Sequence, residues 1–412
     1  MMHKINILSK FNISNSFRIK RHYFTLYEPV LDPVMGVNEE LKNSKKENPT
    51  NLVIGAYRRD EKPHIFKSVK EAKNYINNNN YNHEYLPITG DVKFNMLSKK
   101  LYFTDEPTNC SVVQTLSGTG SLYLLGKLLG EIVKEDKKIY IPNPTWDNHF
   151  NILSSSNMGL TTFEYLQKDR TWNFEYLIDN IKKINDNNII LLHGCAHNPS
   201  GYDPSFEEWK QIIELCIKKN LLILIDMAYL GFASGNIIKD NAVLRIINNK
   251  DYPVFVCSSY AKNFGLYSER VGNLFFRGHN DKETKMIEDI LRIIIRKSYS
   301  SPPSNGSNII SYILSNDKCK NLWKQELVEI NSHYCDIRKN LRTELENRLD
   351  TNFSDITEQK GMFWYSKLTK EQVKLFKEQG IFFPDNGRIS IAGFNKSNII
   401  NFADTYKQIV KM

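Results

Sequence analysis

Five short β-rich runs, alternating with helical stretches, constrain the fold of this sequence more than any other feature. They begin near residue 110, and each is followed by a loop of small residues. Strands that alternate with helices in this way form a parallel sheet whose faces the helices cover. We therefore predict an α/β fold with a mostly parallel central sheet. The runs are SVVQTL (111–116), KIYIP (138–142), NIILLHG (188–194), LLILID (221–226) and VFVCSS (254–259).

The chain after residue 280 follows a different pattern. Apolar residues recur at helical spacing over residues 281–297 and over the longer stretch 323–349. The pieces GMFWY (361–365) and GRISIAGF (387–394) resemble strands, and a closing amphipathic helix is predicted from Asn398. Since 412 residues are enough for two lobes, we expect a large domain and a smaller α/β domain.

Composition limits the classes of protein that the chain can belong to. Its six cysteines include no CxxC pair, so neither a disulfide framework nor a zinc cage is indicated, and a reducing compartment fits best. Hydrophobic residues make up 41% of the chain, and no apolar run is long enough to span a bilayer. The basic residues form no stripe with interleaved aromatics, which argues against nucleic-acid binding.

The net charge of +9 is concentrated at the start of the chain. Residues 1–27 hold several basic residues and no acid, with Ser, Asn and scattered Ile, Leu and Phe between them. This composition is typical of a mitochondrial transit peptide, so we predict a targeting extension over residues 1–22 and the mitochondrial matrix as destination. The alternative is a disordered terminus on a cytoplasmic protein. The basic residues are Lys4, Lys10, Arg18, Lys20 and Arg21.

The loop after the first run is a candidate phosphate site, because ligands of open parallel sheets bind beyond the carboxyl ends of the strands. It reads Ser117-Gly118-Thr119-Gly120 and precedes a predicted helix over residues 122–133. Glycine lets the backbone approach a ligand closely, and a helix start offers N–H groups and a positive dipole end to an anion. Taken alone, the motif is also compatible with an ordinary capped helix.

The loop after the third run, residues 193–201 (HGCAHNPSG), brings an amide and two imidazoles to a strand end. The spacing of His193 and His197 is one that zinc-binding helices use. We reject a metal site, because the segment holds no carboxylate and Asn-Pro-Ser-Gly favours a turn. Asn198 is therefore a candidate contact to an organic ligand.

The last two runs are followed by groups with chemical potential. Asp226 and Tyr229 follow the fourth run, and Lys262 and Arg270 follow the fifth. Asp226, Tyr229 and Lys262 each have an ordinary alternative, namely a helix cap, a packed ring and a surface lysine. A lysine that loses water beside a buried strand has a lowered pKa, which Schiff-base chemistry requires.

A phosphate cradle, a carboxylate, a phenol and a primary amine together meet the needs of one cofactor, pyridoxal phosphate. Asp226 would keep its ring nitrogen protonated, and Tyr229 and Asn198 would hydrogen-bond its ring oxygen. The cradle would consist of Ser117, Gly118, Thr119, Ser259 and Arg270.

Ordered motifs over nearly the whole chain after residue 25 carry a family resemblance. With them the chain resembles the aspartate aminotransferase family of fold-type I pyridoxal-phosphate enzymes. The motifs are IGAYR (54–58), HEYLPITG (83–90), QTLSGTG (114–120), PNPTWDNH (142–149), LLHGCAHNPSG (191–201), DMAYLGFASG (226–235), SYAKNFGLYSERVGN (259–273), YSSPPSNG (299–306) and GRISIAG (387–393).

The resemblance implies roles for further residues. Lys262 would hold the cofactor and shuttle the proton, Trp146 would stack on its ring, and Gly55 and Arg388 would contact the substrate. Arg388 would bind the α-carboxylate. In an implied homodimer with shared sites, Tyr85 would reach the phosphate in the neighbouring subunit and Arg296 the distal carboxylate. Two arginine forks placed apart suit a dicarboxylate.

The implied activity is reversible ping-pong transfer of an amino group between L-aspartate and 2-oxoglutarate. An aromatic or broad-specificity aminotransferase is the alternative, and a cofactor-binding homologue without turnover is a third hypothesis, disfavoured because the catalytic residues are all present. Asp147, where the family usually has glycine, and the run WYSKL (364–368) depart from the family pattern. The domains are expected at 23–62 (N-terminal arm and part of the small domain), 63–324 (large cofactor-binding domain) and 325–412 (small domain).

Overall fold

The structure is a computed structural model that describes residues 33–53, 55–59, 62–79, 81–103, 109–134 and 136–411. The predicted extension over residues 1–22 lies outside these residues. The helices are α1 Pro33–Lys42, α2 Lys67–Asn78, α3 Val92–Tyr102, α4 Ser117–Ile132, α5 Asn148–Leu153, α6 Phe174–Lys182, α7 Phe206–Lys218, α8 Ile237–Asp240, α9 Ala242–Asn248, α10 Asp281–Ser298, α11 Asn305–Ser315, α12 Asp317–Leu349, α13 Asp355–Glu358, α14 Lys370–Glu378 and α15 Lys396–Val410, with 3₁₀ turns at Ser154–Ser156 and Ile391–Gly393. The strands are β1 Thr50–Asn51, β2 Arg58–Arg59, β3 Lys62–Pro63, β4 Cys110–Leu116, β5 Lys138–Asn143, β6 Gly159–Glu164, β7 Ile189–His193, β8 Leu222–Met227, β9 Val254–Ser259, β10 Val271–Arg277, β11 Phe363–Tyr365, β12 Ile381–Phe382 and β13 Arg388–Ser390.

The described residues contain a seven-stranded central sheet with the order β4-β10-β9-β8-β7-β5-β6. All its strands run parallel except β10, which pairs antiparallel with β4 and β9. The prediction of an α/β fold with a mostly parallel sheet is therefore confirmed. The sequence analysis identified β4, β5, β7, β8 and β9 but missed β6 and β10.

Both faces of the sheet are buried. Along β7, Ile190 and Leu192 belong to one hydrophobic cluster, while Ile189 and Leu191 belong to another. Successive side chains of a strand point to opposite faces, so each face has its own core. On one side the core includes Leu125 of α4, and on the other it includes helices such as α7.

The start of α4 corrects one prediction. The SGTG motif was expected to be a loop before a helix at residue 122, but the helix begins at Ser117. The two glycines allow close packing at this position. A Cβ on Gly118 would lie 3.2 Å from the Cβ of Ser259, and a Cβ on Gly120 would lie 2.9 Å from the Cβ of Leu116. The phosphate-site motif is thus the first turn of the helix.

The C-terminal part contains α12, α15 and two short strand pairs. β11 pairs antiparallel with β13, and β12 pairs parallel with β1. The strands predicted in GMFWY and GRISIAGF are confirmed as β11 and β13, and the last helix begins at Lys396. The expected boundary at 324/325 falls inside α12, and the three domain ranges stay a prediction.

Among the described helices, none combines the length and the apolar character needed to traverse a lipid bilayer.

Candidate active site

A cavity of about 480 Å³ lies beyond the carboxyl ends of β7, β8 and β9, next to the start of α4. Gly55, Phe363 of β11 and Arg388 of β13 supply its other wall. Most of the predicted site residues line it, although they come from distant parts of the sequence. These are Gly55, Ser117, Gly118, Thr119, Trp146, Asn198, Asp226, Tyr229, Ser259, Lys262, Arg270 and Arg388.

One end of the cavity is built to bind an anion. Ser117, Gly118 and Thr119 form the first turn of α4, and the residue before them, Leu116, has no side-chain acceptor for their N–H groups. The hydroxyls of Ser117 and Ser259 are 3.0 Å apart. These groups, the positive end of the helix and the guanidinium of Arg270, which also lines the cavity, suit a phosphate.

A hydrogen-bonded chain behind the cavity ends on Asp226. The backbone N–H of Asn198 donates to Nδ1 of His193, so Nε2 of His193 carries the proton and donates to the Thr145 hydroxyl at 3.0 Å. Thr145 donates to Nδ1 of His149 at 2.8 Å, and Nε2 of His149 donates to Oδ2 of Asp226 at 3.1 Å. Burial lowers the pKa of His193 to about 3, which agrees with this neutral form.

Asp226 is 7% exposed and is poised to hold a protonated nitrogen. Burial raises the pKa of Asp226, but the hydrogen bond from His149 and the neighbouring charges outweigh burial, and the net shift is downward. Its other oxygen, Oδ1, is buried and makes no hydrogen bond with any residue that the structure describes. Because a buried carboxylate oxygen needs a partner, this atom fits the protonated ring nitrogen of pyridoxal phosphate.

Lys262 brings a primary amine to the lining of the cavity. Burial lowers the pKa of Lys262 to about 8; Asp226 opposes this shift, and the charges of Arg270 and Arg388 add to it. A substantial fraction of the amine is therefore neutral near pH 8 and can act as a nucleophile. Its Nζ lies 4.8 Å from the ring centroid of Tyr229.

Tyr229 and Asn198 form a second polar contact point. The Asn198 amide donates to the Tyr229 hydroxyl at 3.5 Å, and both side chains are buried. Burial raises the pKa of Tyr229, so its phenol stays protonated and can donate a hydrogen bond.

Arg388 is a buried guanidinium in the opposite wall. Its Cζ lies 4.2 Å from the ring centroid of Phe363, and its Nη2 donates to the Val53 carbonyl at 3.2 Å. A guanidinium stacked in this way presents a planar set of donors, which matches a carboxylate.

Two predicted residues do not line this cavity. Tyr85 is 86% exposed, and Arg296 is an exposed residue of α10 that donates to the Ser300 hydroxyl. The resemblance assigns both to the site of a neighbouring subunit, and these roles stay a prediction. The sequence analysis overlooked His149 and Thr145, although both stand beside Trp146 in the quoted motif PNPTWDNH.

Comparison with known proteins agrees with this geometry. The family model for aminotransferase class I and II matches residues 47–405. The mitochondrial aspartate aminotransferase of Schizosaccharomyces pombe is 37% identical over 387 residues, covering 92% of this chain and 88% of its own. Two solved structures are also similar. The broad-specificity aminotransferase of Leishmania mexicana has a TM-score of 0.90 and 33% identity, covering 94% of this chain and 97% of its own. The cytoplasmic aspartate aminotransferase of Saccharomyces cerevisiae has a TM-score of 0.89 and 33% identity, covering 94% and 98%.

The fold and the cavity define a pyridoxal-phosphate enzyme of fold-type I. The chain belongs to the class I and II aminotransferase family.

Proposed function

We propose that the enzyme transfers amino groups reversibly between L-aspartate and 2-oxoglutarate, giving oxaloacetate and L-glutamate in two half-reactions. The observation that carries this proposal is that Arg388 lines the same cavity as Lys262 and Asp226. A substrate whose carboxylate is bound by Arg388 would place its α-amino group in the cavity that Lys262 also lines. The 37% identity to a protein named aspartate aminotransferase supports the choice of substrate.

Four residues would hold the cofactor and move protons. Pyridoxal phosphate, when bound, supplies a carbonyl for the amino group and an electron sink for the charge that develops at Cα. Asp226 would hold the proton of the ring nitrogen, and Tyr229 and Asn198 would donate hydrogen bonds to the ring oxygen. The Lys262 amine would hold the cofactor and, when free, would accept the proton from Cα of the substrate and deliver it to the cofactor.

The cavity and a neighbouring subunit would share recognition of the dicarboxylate. Arg388 binds the α-carboxylate, while Gly55 and Trp146 limit the space beside it. Arg296 of a second copy binds the distal carboxylate. Two fixed guanidinium groups select a substrate by the distance between its two charges.

A homodimer is part of this proposal. Large apolar side chains are exposed in the segment before α4, with Ile65 71%, Tyr85 86% and Val92 72% accessible. A second cavity of about 730 Å³ shares Thr119 and Arg270 with the first cavity, so the two cavities adjoin at the end proposed to bind the phosphate. Exposed apolar surface of this kind favours association, and Tyr85 of a second copy would reach the phosphate through the second cavity.

We also propose the mitochondrial matrix as the compartment. Support comes from the basic composition of residues 1–27 and from the similarity to an enzyme named as mitochondrial. Expression of the full chain with a C-terminal fluorescent tag tests this: a diffuse cytoplasmic signal would contradict the proposal.

A second candidate is a broad-specificity aminotransferase, because a structure with that name matches this fold with a TM-score of 0.90. Both candidates need Lys262 and Arg388. They differ in whether L-phenylalanine is processed at a rate comparable with L-aspartate.

The absorbance spectrum of the enzyme loaded with pyridoxal phosphate tests both candidates. L-Aspartate, added without a keto acid, is expected to convert the bound cofactor to pyridoxamine phosphate within seconds, whereas L-phenylalanine reacts much more slowly. Equal rates would favour broad specificity. A spectrum that L-aspartate leaves unchanged, while another amino acid alters it, would refute the assignment of the substrate.

A further inference from the structure

Arg170 has an unusual backbone conformation in the loop between β6 and α6. Its φ angle is +64°, in the left-handed region that residues other than glycine rarely adopt. Such a conformation persists only where surrounding contacts hold it, and it is then a reason to look for a role. The guanidinium supplies those contacts, because Nη1 donates to the carbonyls of Ser366 and, at 3.1 Å, of Asn386.

These two carbonyls stand at one end of the β11–β13 pair. Ser366 follows Tyr365, the last residue of β11, and Asn386 lies two residues before Arg388, the first residue of β13. Tyr365 and Arg388 are direct partners in the antiparallel register. Arg170 therefore bridges the chain segments that carry the two partners.

Arg170 contacts the face of the β11–β13 pair on which Tyr365 and Arg388 both lie. Directly opposed residues of an antiparallel pair point to the same side of the sheet. The Arg170 guanidinium lies 4.5 Å from the Tyr365 ring centroid, and that of Arg388 lies 4.2 Å from the ring centroid of Phe363. Each arginine is thus stacked on one of the two rings that β11 presents.

The packing around this bridge leaves little freedom. A Cβ on Gly387, the residue before Arg388, would lie 2.8 Å from Nη1 of Arg170. Burial raises the pKa of the Tyr365 phenol, the Arg170 charge lowers it, and the Asp147 charge raises it. Asp147 is the residue next to Trp146, which lines the same cavity as Arg388.

We propose that Arg170 is a positioning residue for Arg388: by bridging Ser366 and Asn386 and stacking on Tyr365, it sets where the Arg388 guanidinium stands relative to Lys262. The inference rests on the proposed function, in which Arg388 binds the substrate α-carboxylate. A two-pronged contact between guanidinium and carboxylate depends on orientation, so a small shift of β13 weakens it. Because the contact persists through the reaction, its loss raises KM and leaves kcat nearly unchanged.

The test uses the full-length holoenzyme with Arg170→Met and Arg170→Lys. Four quantities are measured: kcat and KM for L-aspartate, the dissociation constant of maleate as an unreactive dicarboxylate, and the absorbance of the bound cofactor. We expect Arg170→Met to raise KM and the maleate constant about tenfold, with kcat within about threefold and the cofactor absorbance unchanged. Arg170→Lys keeps the charge but loses the planar stack, so its effect is intermediate.

Arg342→Met is the matched control, because the hydrogen bonds of Arg342 go to Glu346 and Thr357 and reach neither strand of the pair. It should leave all four quantities unchanged. If Arg170→Met is too unstable to assay, the maleate constant of Arg170→Lys carries the test, and a wild-type value there would overturn the inference.

Arg388→Lys and the double variant with Arg170→Met separate the two proposals. If Arg170 acts through Arg388, the double variant weakens maleate binding by less than the product of the single effects. Two outcomes would refute the role of Arg170 and leave the proposed function standing. In the first, the effect of the double variant on maleate binding equals the product of the two single effects. In the second, Arg388→Lys binds maleate weakly while Arg170→Met binds it normally. Normal maleate binding in Arg388→Lys would instead refute the proposed carboxylate site.

Discussion

Nε2 of His149 donates to Oδ2 of Asp226 at 3.1 Å, while Oδ1 of the same carboxylate makes no hydrogen bond with any described residue, and Asp226 lines the cavity. One oxygen of Asp226 is thus held by the protein, and the other is available to a ligand. The hydrogen bond from His149 explains how the buried carboxylate of Asp226 stays ionised. The same arrangement predicts that Asp226 matters more for the reaction than His149.

Asp226→Ala should lower kcat at least about a thousandfold, roughly 4 kcal/mol in the barrier, because nothing then holds the proton of the ring nitrogen. His149→Asn should cost less than about tenfold, since an amide can still donate to Oδ2 and the charge of Lys262 still favours the carboxylate. Steady-state kinetics with saturating cofactor measure both. A similar loss in the two variants would contradict the view that His149 acts only through Asp226.

The rate at which the apoprotein captures pyridoxal phosphate should depend on pH through Lys262. Only the neutral amine reacts, and the pKa of Lys262 is lowered to about 8. Below pH 8 most of the amine is protonated, so the rate should rise about tenfold between pH 7 and pH 9 and then level off. Stopped-flow absorbance measures this rate.

Asp226→Asn provides a control on the sign of that effect. The charge of Asp226 raises the pKa of Lys262, so its removal should move the midpoint of the rate profile below that of the wild type. A wild-type midpoint near that of an ordinary lysine would show that the amine is not desolvated as described.

Mixtures of two inactive variants should recover activity if the sites are shared between subunits. Lys262→Ala lacks the amine, and Arg296→Met lacks the distal guanidinium. A hybrid dimer would contain one site with both residues intact, so equal mixing and reassociation should restore about a quarter of wild-type activity. Mixtures that remain as inactive as their parents would refute the role of Arg296 across the interface.

Replacing Arg338 on α12 should destabilise the protein more than replacing Arg342 on the same helix. It is buried, and it donates to the carbonyls of Ile356, Gly361 and Phe363. Arg338→Met leaves these acceptors without donors, which should cost about 3–5 kcal/mol in the free energy of unfolding.

Urea denaturation measures this loss, with Arg342→Met as the control. Arg342 is more exposed and pairs with Glu346 one turn away on the same helix, so its replacement should stay within about 0.5 kcal/mol. Equal losses in the two variants would mean that the carbonyls near β11 find other donors.

Sequence reasoning succeeded best where local pattern and chemistry coincide. The buried runs that form β7, β8 and β9 are apolar on both faces, and Asp226, Ser259 and Lys262 lie at or just after the ends of β8 and β9. The same short segments therefore predict both the strands and the candidate site residues. It failed at α4, where glycines that serve close packing against Ser259 and Leu116 were interpreted as a loop. It also missed β10, whose antiparallel direction no local pattern reveals.

The sequence by itself determines three things: the order of the strands along the chain, the motifs at their ends and the kinds of side chain available for chemistry. All three depend only on short-range periodicity and residue type. Which of these groups meet is a different matter. The hydrogen bond from His149 to Asp226 spans 77 residues, and the bridge from Arg170 to Ser366 spans 196. Such contacts, and the pKa of Lys262 that burial produces, arise only when the packed chain removes water and brings distant residues together, because neither distance nor desolvation is a local property of the sequence.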